Sequence, residues 1–196
     1  MKYTSPFSEI SKKDANIAGG KGASLGEMTQ AGIPVPEGFV VLSNAFDHFL
    51  HETDLAQEIE AILDGVDHKA IHTIESASEK IRGLIDQEEV PKDIAKEVIR
   101  VFKALKAEFV AVRSSATAED SSEHAWAGQL ESYLNTTEAD LLDKLKRCWS
   151  SLFTPRAIFY RFEKGLHGTE ISVAVVIQKM IQSEVSGIAF SVHPIT

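Results

Sequence analysis

The order of elements along this chain predicts an α+β fold, with a mixed or antiparallel sheet packed with helices. Three observations carry the prediction. Short apolar runs that read as buried strands occur at Phe39-Val40-Val41-Leu42, at Phe109-Val110-Ala111-Val112 and from Ile171 to Gln178. Amphipathic helical segments lie between them without the regular rhythm of a doubly wound sheet. The chain has 196 residues, 43% of them hydrophobic and 25% charged, and at this length roughly 70% of the unfolded surface can be buried without covalent staples. The single cysteine, Cys148, excludes a disulfide framework and leaves too few thiols for a structural zinc site.

Taken in order, residues 21–31 read as a short helix with Leu25 and Met28 on one face, closed by Gly32. Pro34 and Pro36 keep the helix from resuming before the first strand. Ser43 and Asn44 can cap a helix carrying Phe46, Phe49 and Leu50. Asp54 opens another with Leu55, Ile59, Ile62 and Leu63 on one face, and Gly65 closes it. Two longer amphipathic helices follow, one through Ile71, Ile74, Ile81 and Leu84, the other behind Pro91 with Ile94, Val98, Val101, Phe102 and Leu105. Composition then shifts after Lys106 to a short strand, a polar loop over residues 116–128, and a strand at Tyr133-Leu134. Thr137 to Asp140 resembles a capping box opening a helix that carries Leu141, Leu145, Cys148, Trp149 and Leu152. Thr154-Pro155 starts the last helix, which ends by Gly165. The strand from Ile171 to Gln178 is expected to pair with residues 187–192.

Lys and Arg number 20 against 29 Asp and Glu, a formal charge of −9. This balance argues against a non-specific nucleic-acid binder, which would carry a basic face. The longest apolar run, Val173 to Ile177, is far too short to span a membrane. Ser5, Pro6, Ser8 and Glu9 interrupt the start where a signal peptide needs continuous apolar residues. The expectation is a soluble cytoplasmic protein that binds neither nucleic acid nor membrane. An anionic ligand on such a chain needs cations placed locally, so lysines and arginines beside glycines and hydroxyls matter most.

Ala18-Gly19-Gly20-Lys21-Gly22-Ala23-Ser24 is one such place. It is not a P-loop, because Ala15 and Gly22 stand where that motif needs Gly and Ser or Thr. It is not a dinucleotide fingerprint either, because Leu25 holds the third glycine position. Glycines that admit an anion, a helix start with free N–H groups and the Lys21 ammonium still fit a phosphate. The alternative is a flexible turn with a solvated lysine. The second place is Val112-Arg113-Ser114-Ser115-Ala116-Thr117. There a strand-borne guanidinium and the hydroxyls beside it suit phosphate oxygens. The alternative is an Arg113 pairing with Glu119 or Asp120. Trp126-Ala127-Gly128-Gln129 ends a polar loop that reads either as a phosphate flap or as a solvated turn. A metal site from Glu119, Asp120, Glu123 and His124 is the less favoured reading. Cys148 lies on an apolar stripe and reads as core.

Together these segments resemble one family. Gly-Gly-Lys-Gly-Ala-Ser-Leu-Gly-Glu-Met at 19–28, Gly-Ile-Pro-Val-Pro-Glu-Gly-Phe at 32–39, Val-Arg-Ser-Ser-Ala-Thr-Ala-Glu-Asp at 112–120 and Ala-Gly-Gln at 127–129 occur in the order of the nucleotide-binding domain of the phosphoenolpyruvate synthases. The resemblance continues through Cys148 to Thr154, Arg156-Ala157-Ile158, Tyr160-Arg161, Gln178-Lys179-Met180 and Ser186-Gly187, nearly the whole chain. Pyruvate phosphate dikinase and rifampin phosphotransferase share this ATP-grasp domain.

The resemblance implies that residues 1–196 are the N-terminal portion of an ATP-grasp domain, cut before its second half. A subdivision into a helix-rich 1–106 and a sheet-containing 107–196 goes with it. It implies Lys21 and Arg113 as catalytic, phosphate-contacting cations, with Ser114 beside them. Gly128 and Ser132 fall on the flap over the phosphates, and Gln178, Lys179 and Met180 border the adenine. The implied reaction is phosphoryl transfer from ATP to a histidine on another domain, giving AMP and phosphate, and then to pyruvate. Magnesium ligands are expected mainly outside this chain, and the phosphohistidine and pyruvate-binding domains are the implied partners. No metal-ligating residue is assigned within it. Two departures stand out. The flap sequence Ser121 to Trp126 lacks the more usual Leu-Pro segment, and the chain stops at Thr196, before the acidic half. Rifampin phosphotransferase is the runner-up, because the synthases more often carry Asn where Gly22 stands. A stand-alone nucleotide-binding module is the reading from another class.

Overall fold

Burial on both faces of the central strands explains the architecture. The computed structural model describes residues 1–117, 130–166 and 172–188. Its strands are β1 (Thr4–Pro6), β2 (Gly38–Val41), β3 (Val110–Ala116), β4 (Ser132–Thr136) and β5 (Val173–Lys179). They form one sheet in the order β1-β2-β5-β3-β4, every neighbouring pair antiparallel. The α+β expectation holds, in its antiparallel form.

Odd and even positions face different cores. Phe39, Val41, Val110, Val112, Ala116, Val173, Val175 and Ile177 belong to one apolar cluster. Val40, Ala174 and Val176 belong to another, with Phe7, Ile10 and Ala18. The first and larger core is covered by six helices: α2 (Ser43–Glu52), α3 (Leu55–Asp64), α4 (Ile71–Gln87), α5 (Lys92–Leu105), α6 (Leu141–Ser150) and α7 (Pro155–Glu163). Their apolar stripes supply Phe46, Phe49, Ile59, Ile81, Ile85, Ile94, Val98, Leu145 and Ile158. Trp149 sits at the centre, with ring centroids 5.1 Å from Phe49 and 5.8 Å from Phe46. Thr154 caps α7 by accepting from the Ala157 N–H at 3.2 Å, with Pro155 in the first turn.

The opposite face carries α1 (Ala15–Gln30) and two short 3₁₀ turns, Phe7–Glu9 and Lys12–Asp14. Two glycines let α1 sit close. A Cβ on Gly22 would meet Val40 at 3.1 Å, and one on Gly26 would lie 2.8 Å from the Ile10 carbonyl carbon. Ser11 and Asp14 form a capping box ahead of the helix, the Ser11 N–H donating to Asp14 Oδ2 at 2.8 Å.

Several elements differ from expectation. β1 was not anticipated, because Thr-Ser-Pro has no apolar alternation. It holds its place because Glu97 Oε1 on α5 accepts from the Tyr3 N–H at 3.0 Å, the Thr4 N–H at 2.8 Å and the Thr4 hydroxyl at 2.7 Å. β3 runs four residues past Val112, through Arg113 to Ala116. α6 begins at Leu141, because Thr137 Oγ1 donates to Asp140 Oδ2 at 2.9 Å and no cap bond to the helix forms. Both edges of β5 are taken by β2 and β3 over Val175–Gln178, so residues 187–192 have no free edge there. Gly187 and Ile188 are not in a strand, and 189–192 lie outside the described residues. β1 and β2, from the first 106 residues, share the sheet with β3 to β5.

Candidate functional site

On the α1 face of β3, alternation places Ala111, Arg113 and Ser115, since Val110, Val112 and Ala116 point into the opposite core. Arg113 and Ser115 are two residues apart, about 6.8 Å along the strand. Arg113 is half-buried and Ser115 fully buried. Directly opposite Arg113 lie Ser132 on β4 and Val176 on β5.

α1 meets this row at a break. Gly19 has φ 68° and ψ 167°, a backbone region essentially closed to other residues. Beyond it the helix restarts, and the Lys21 N–H donates to Ser115 Oγ at 3.1 Å. Lys21 and Arg113, 92 positions apart by number, are therefore carried by neighbouring backbone. Gln178 stands opposite Ala111 and alternates with Val176 onto the same face. Its side chain donates to the Pro36 carbonyl at 3.1 Å. From the level of Ala111 to that of Ser115 the row extends about 14 Å, a length comparable with an extended nucleoside triphosphate.

The other expected residues divide. Ser132 is brought beside Arg113 and is exposed. Lys179 follows Gln178 onto the helical face, its N–H bonded to Glu37 O at 2.8 Å, and the Met180 N–H reaches Phe109 O at 2.9 Å. Both thus lie at the end of β5 that Gln178 marks. Ser114 is turned away from Arg113: its hydroxyl donates to the Glu131 carbonyl at 2.6 Å, beneath the sheet beside Cys148 and Ser151. Gly128 and the flap residues 118–129 lie outside the described residues. The serine that shares the face of both cations is Ser115, which the sequence reading did not single out. The period of two along a strand was the available signal, hidden by ending the strand at Val112.

The β4 side of the sheet is tied down on the far face. Glu131 pairs with Arg82 at 3.2 Å and accepts from the Tyr133 hydroxyl, and burial with the Glu131 charge pushes the Tyr133 phenol well above its ordinary value. The Cys148 thiol is raised by burial and by Glu131, with the Lys21 charge acting in the opposite sense. It is core, as expected. Among the described residues no three His, Cys, Asp or Glu side chains gather as a metal-binding group. No helix among them is long and apolar enough to cross a membrane.

Residues 15–196 match the family model described as "Pyruvate phosphate dikinase, AMP/ATP-binding domain". A probable phosphoenolpyruvate synthase of Methanocaldococcus jannaschii is 46% identical over 203 residues, covering 100% of this chain and 17% of that protein. One from Methanothermobacter thermautotrophicus is 44% identical over 203 residues, covering 100% of this chain and 30% of its own length. The phosphoenolpyruvate synthase of Pyrococcus furiosus is 38% identical over 229 residues, covering 97% and 28%. The chain thus spans less than a third of each of these relatives. With the match running through both cation-bearing segments and four of the five strands, β2 to β5, the chain belongs to the pyruvate phosphate dikinase AMP/ATP-binding domain family.

Proposed function

We propose that this chain holds the polyphosphate of ATP against the α1 face of the sheet, as the nucleotide-binding part of a phosphoenolpyruvate synthase-like phosphotransferase. The observation that supports it is the Lys21 backbone anchored on Ser115, two residues from Arg113 on one strand face. In a chain of charge −9, two cations carried on adjoining backbone make a local site for an anion that the overall field repels. Arg113 offers a rigid fork and Lys21 a mobile point charge, which together suit oxygens that gain charge during phosphoryl transfer. Gln178, Lys179 and Met180 would border the base at the far end of the row, with Ser132 and Gly128 on the flap side. Magnesium ligands, the accepting histidine and the pyruvate site belong on this reading to parts beyond these residues. The synthase name of the relatives favours pyruvate over an antibiotic as final acceptor.

Equilibrium titration of the chain with ATP tests the reading. Lys21→Ala and Arg113→Ala should each remove a charge-assisted hydrogen bond of about 1.5–3 kcal/mol, roughly ten- to hundredfold in affinity. Arg113→Lys should also weaken binding, because a point charge does not reproduce the fork. Unchanged affinity in all three variants would refute the assignment. The unaided chain should bind ATP weakly and transfer no phosphoryl group. Micromolar binding with AMP formation would instead support the stand-alone module.

A further inference from the structure

We propose that Ser115 is the positioning residue of the phosphate subsite: it fixes the main chain of Lys21 and so sets where that ammonium is delivered relative to Arg113. The inference rests on the nucleotide reading above and goes beyond it by assigning the device that brings the two cations together.

The break at Gly19 creates a need for a cap. Where a helix restarts, the first N–H groups have no acceptor within the helix. A side chain from the preceding residues usually supplies one, but no capping hydroxyl or carboxylate precedes this restart, since Ala18, Gly19 and Gly20 stand there. The acceptor comes from another element. Ser115 Oγ, fully buried on β3, takes the Lys21 N–H at 3.1 Å. The approach is possible only because residue 19 lacks a side chain: a Cβ there would lie 2.5 Å from the Ser115 carbonyl oxygen and 2.7 Å from its carbon. Gly19 thus performs two tasks at once, adopting the open φ and admitting the strand.

The consequence is geometric. Arg113 and Ser115 belong to one strand, paired along its length with β5 from Val110 to Ala116. The strand that carries one cation also grips the backbone of the other. Without the grip, α1 would still be seated by Gly22 on Val40 and by Gly26 on Ile10, but its first turn after Gly19 would lose its cross-link to β3. A phosphate chain that must touch both cations would then have to order that turn itself, at a cost in affinity.

The test uses ¹⁵N-labelled protein and two probes, ATP and inorganic tripolyphosphate, with amide shifts followed at residues 19–24 and 111–117. In free Ser115→Ala the Lys21 amide should exchange with solvent faster than in the unchanged protein, while the α1 residues around Gly26 keep their shifts. Affinity for both probes should fall about tenfold, the loss of one hydrogen bond's organising effect. The decisive measurement is a cycle with Lys21→Ala. If Ser115 acts through the Lys21 ammonium, Ser115→Ala should cost almost nothing further once that ammonium is gone. A serine that merely stabilised the fold would weaken binding equally in both backgrounds, and that additivity would overturn the proposal. So would wild-type affinity in Ser115→Ala alongside lost affinity in Lys21→Ala, which sinks Ser115 but leaves the nucleotide reading standing. No response to either probe in the unchanged protein, with Lys21→Ala and Arg113→Ala indistinguishable from it, overturns both.

Discussion

One chemical change, glycine to alanine, should have opposite effects at two helical positions. Gly83 lies inside α4, and a Cβ there meets nothing within 4 Å. Gly83→Ala removes backbone freedom from the unfolded chain and adds helix propensity, a gain of about 0.5–1 kcal/mol. The same gain is available at Gly26 in α1, but there the new methyl would press on the Ile10 carbonyl, 2.8 Å from its carbon and 3.0 Å from the Ile10 Cβ. That carbonyl oxygen also accepts from Gln30 Nε2 at 2.7 Å. Moving the helix off the 3₁₀ turn by several tenths of an ångström costs about 1–3 kcal/mol of packing, and disturbing the Gln30 bond costs about 1 kcal/mol more. Gly26→Ala should therefore be destabilising by about 1–3 kcal/mol, with the two variants roughly 2–4 kcal/mol apart. Urea unfolding followed by far-UV circular dichroism measures both. In thermal melts about 2–4 °C should accompany each kcal/mol. A Gly26→Ala protein as stable as Gly83→Ala would refute the claim that glycine seats α1 on the 3₁₀ turn.

Two further outcomes follow from polar contacts outside the site. The Ser11 N–H, and then its hydroxyl, hold the Asp14 carboxyl below its ordinary pKa. The unfolded chain therefore takes up that proton first, so the stabilisation is complete only above about pH 5, begins to fall near the unfolded value of about 4, and is lost as the pH falls through the lower folded value. Asp14→Asn should flatten the fall of the urea midpoint between about pH 5 and pH 2, and an equal slope in both proteins would exclude the capping box as its source. Glu97→Ala should leave three donors, two on Thr4 of β1 and one on the preceding Tyr3, without their acceptor, costing about 1–3 kcal/mol. Hydrogen exchange at Tyr3 and Thr4 should quicken while the β5 amides stay protected, and unchanged exchange at Tyr3 and Thr4 would show that Glu97 does not hold the strand.

The helices of the large core were legible because each carries a stripe at helical spacing. Ile94, Val98 and Phe102, or Leu141, Leu145 and Cys148, are the residues that become buried. β2 and β5 were legible as apolar runs because both their faces are covered. What escaped was held by polar contacts that hydropathy does not register. β1 is fixed by a carboxylate more than 90 positions away, and the polar stretch of β3 is buried because each hydroxyl finds a distant partner, Ser114 at Glu131 and Ser115 at Lys21. The cation pair was visible as motif, but its geometry was not. The Gly19 break and the alternation of Ser114 and Ser115 decide which hydroxyl faces α1. Gly22 and Gly26 had a packing reason that motif reading alone does not distinguish from ligand binding.

The position of β5 in the sheet also dictates when this protein can fold. Of the described strands it is the last made, yet it lies at the centre, and Val173 to Ile177 are fully buried on both faces. Before it emerges from the ribosome, β1-β2 and β3-β4 are separate two-stranded ribbons, a form only marginally stable in water. Phe39 must await Ile177, its partner across the ladder, for on the order of ten seconds at ribosomal speed. During that interval the apolar inner edges of β2 and β3 are open to other chains. Closing the sheet is then one long-range event that joins both cores at once, a topology that folds slowly for its size. The helices, built from local contacts, can form beforehand, but the sheet on which α1 and β3 are both seated is complete only when that strand joins β2 to β3.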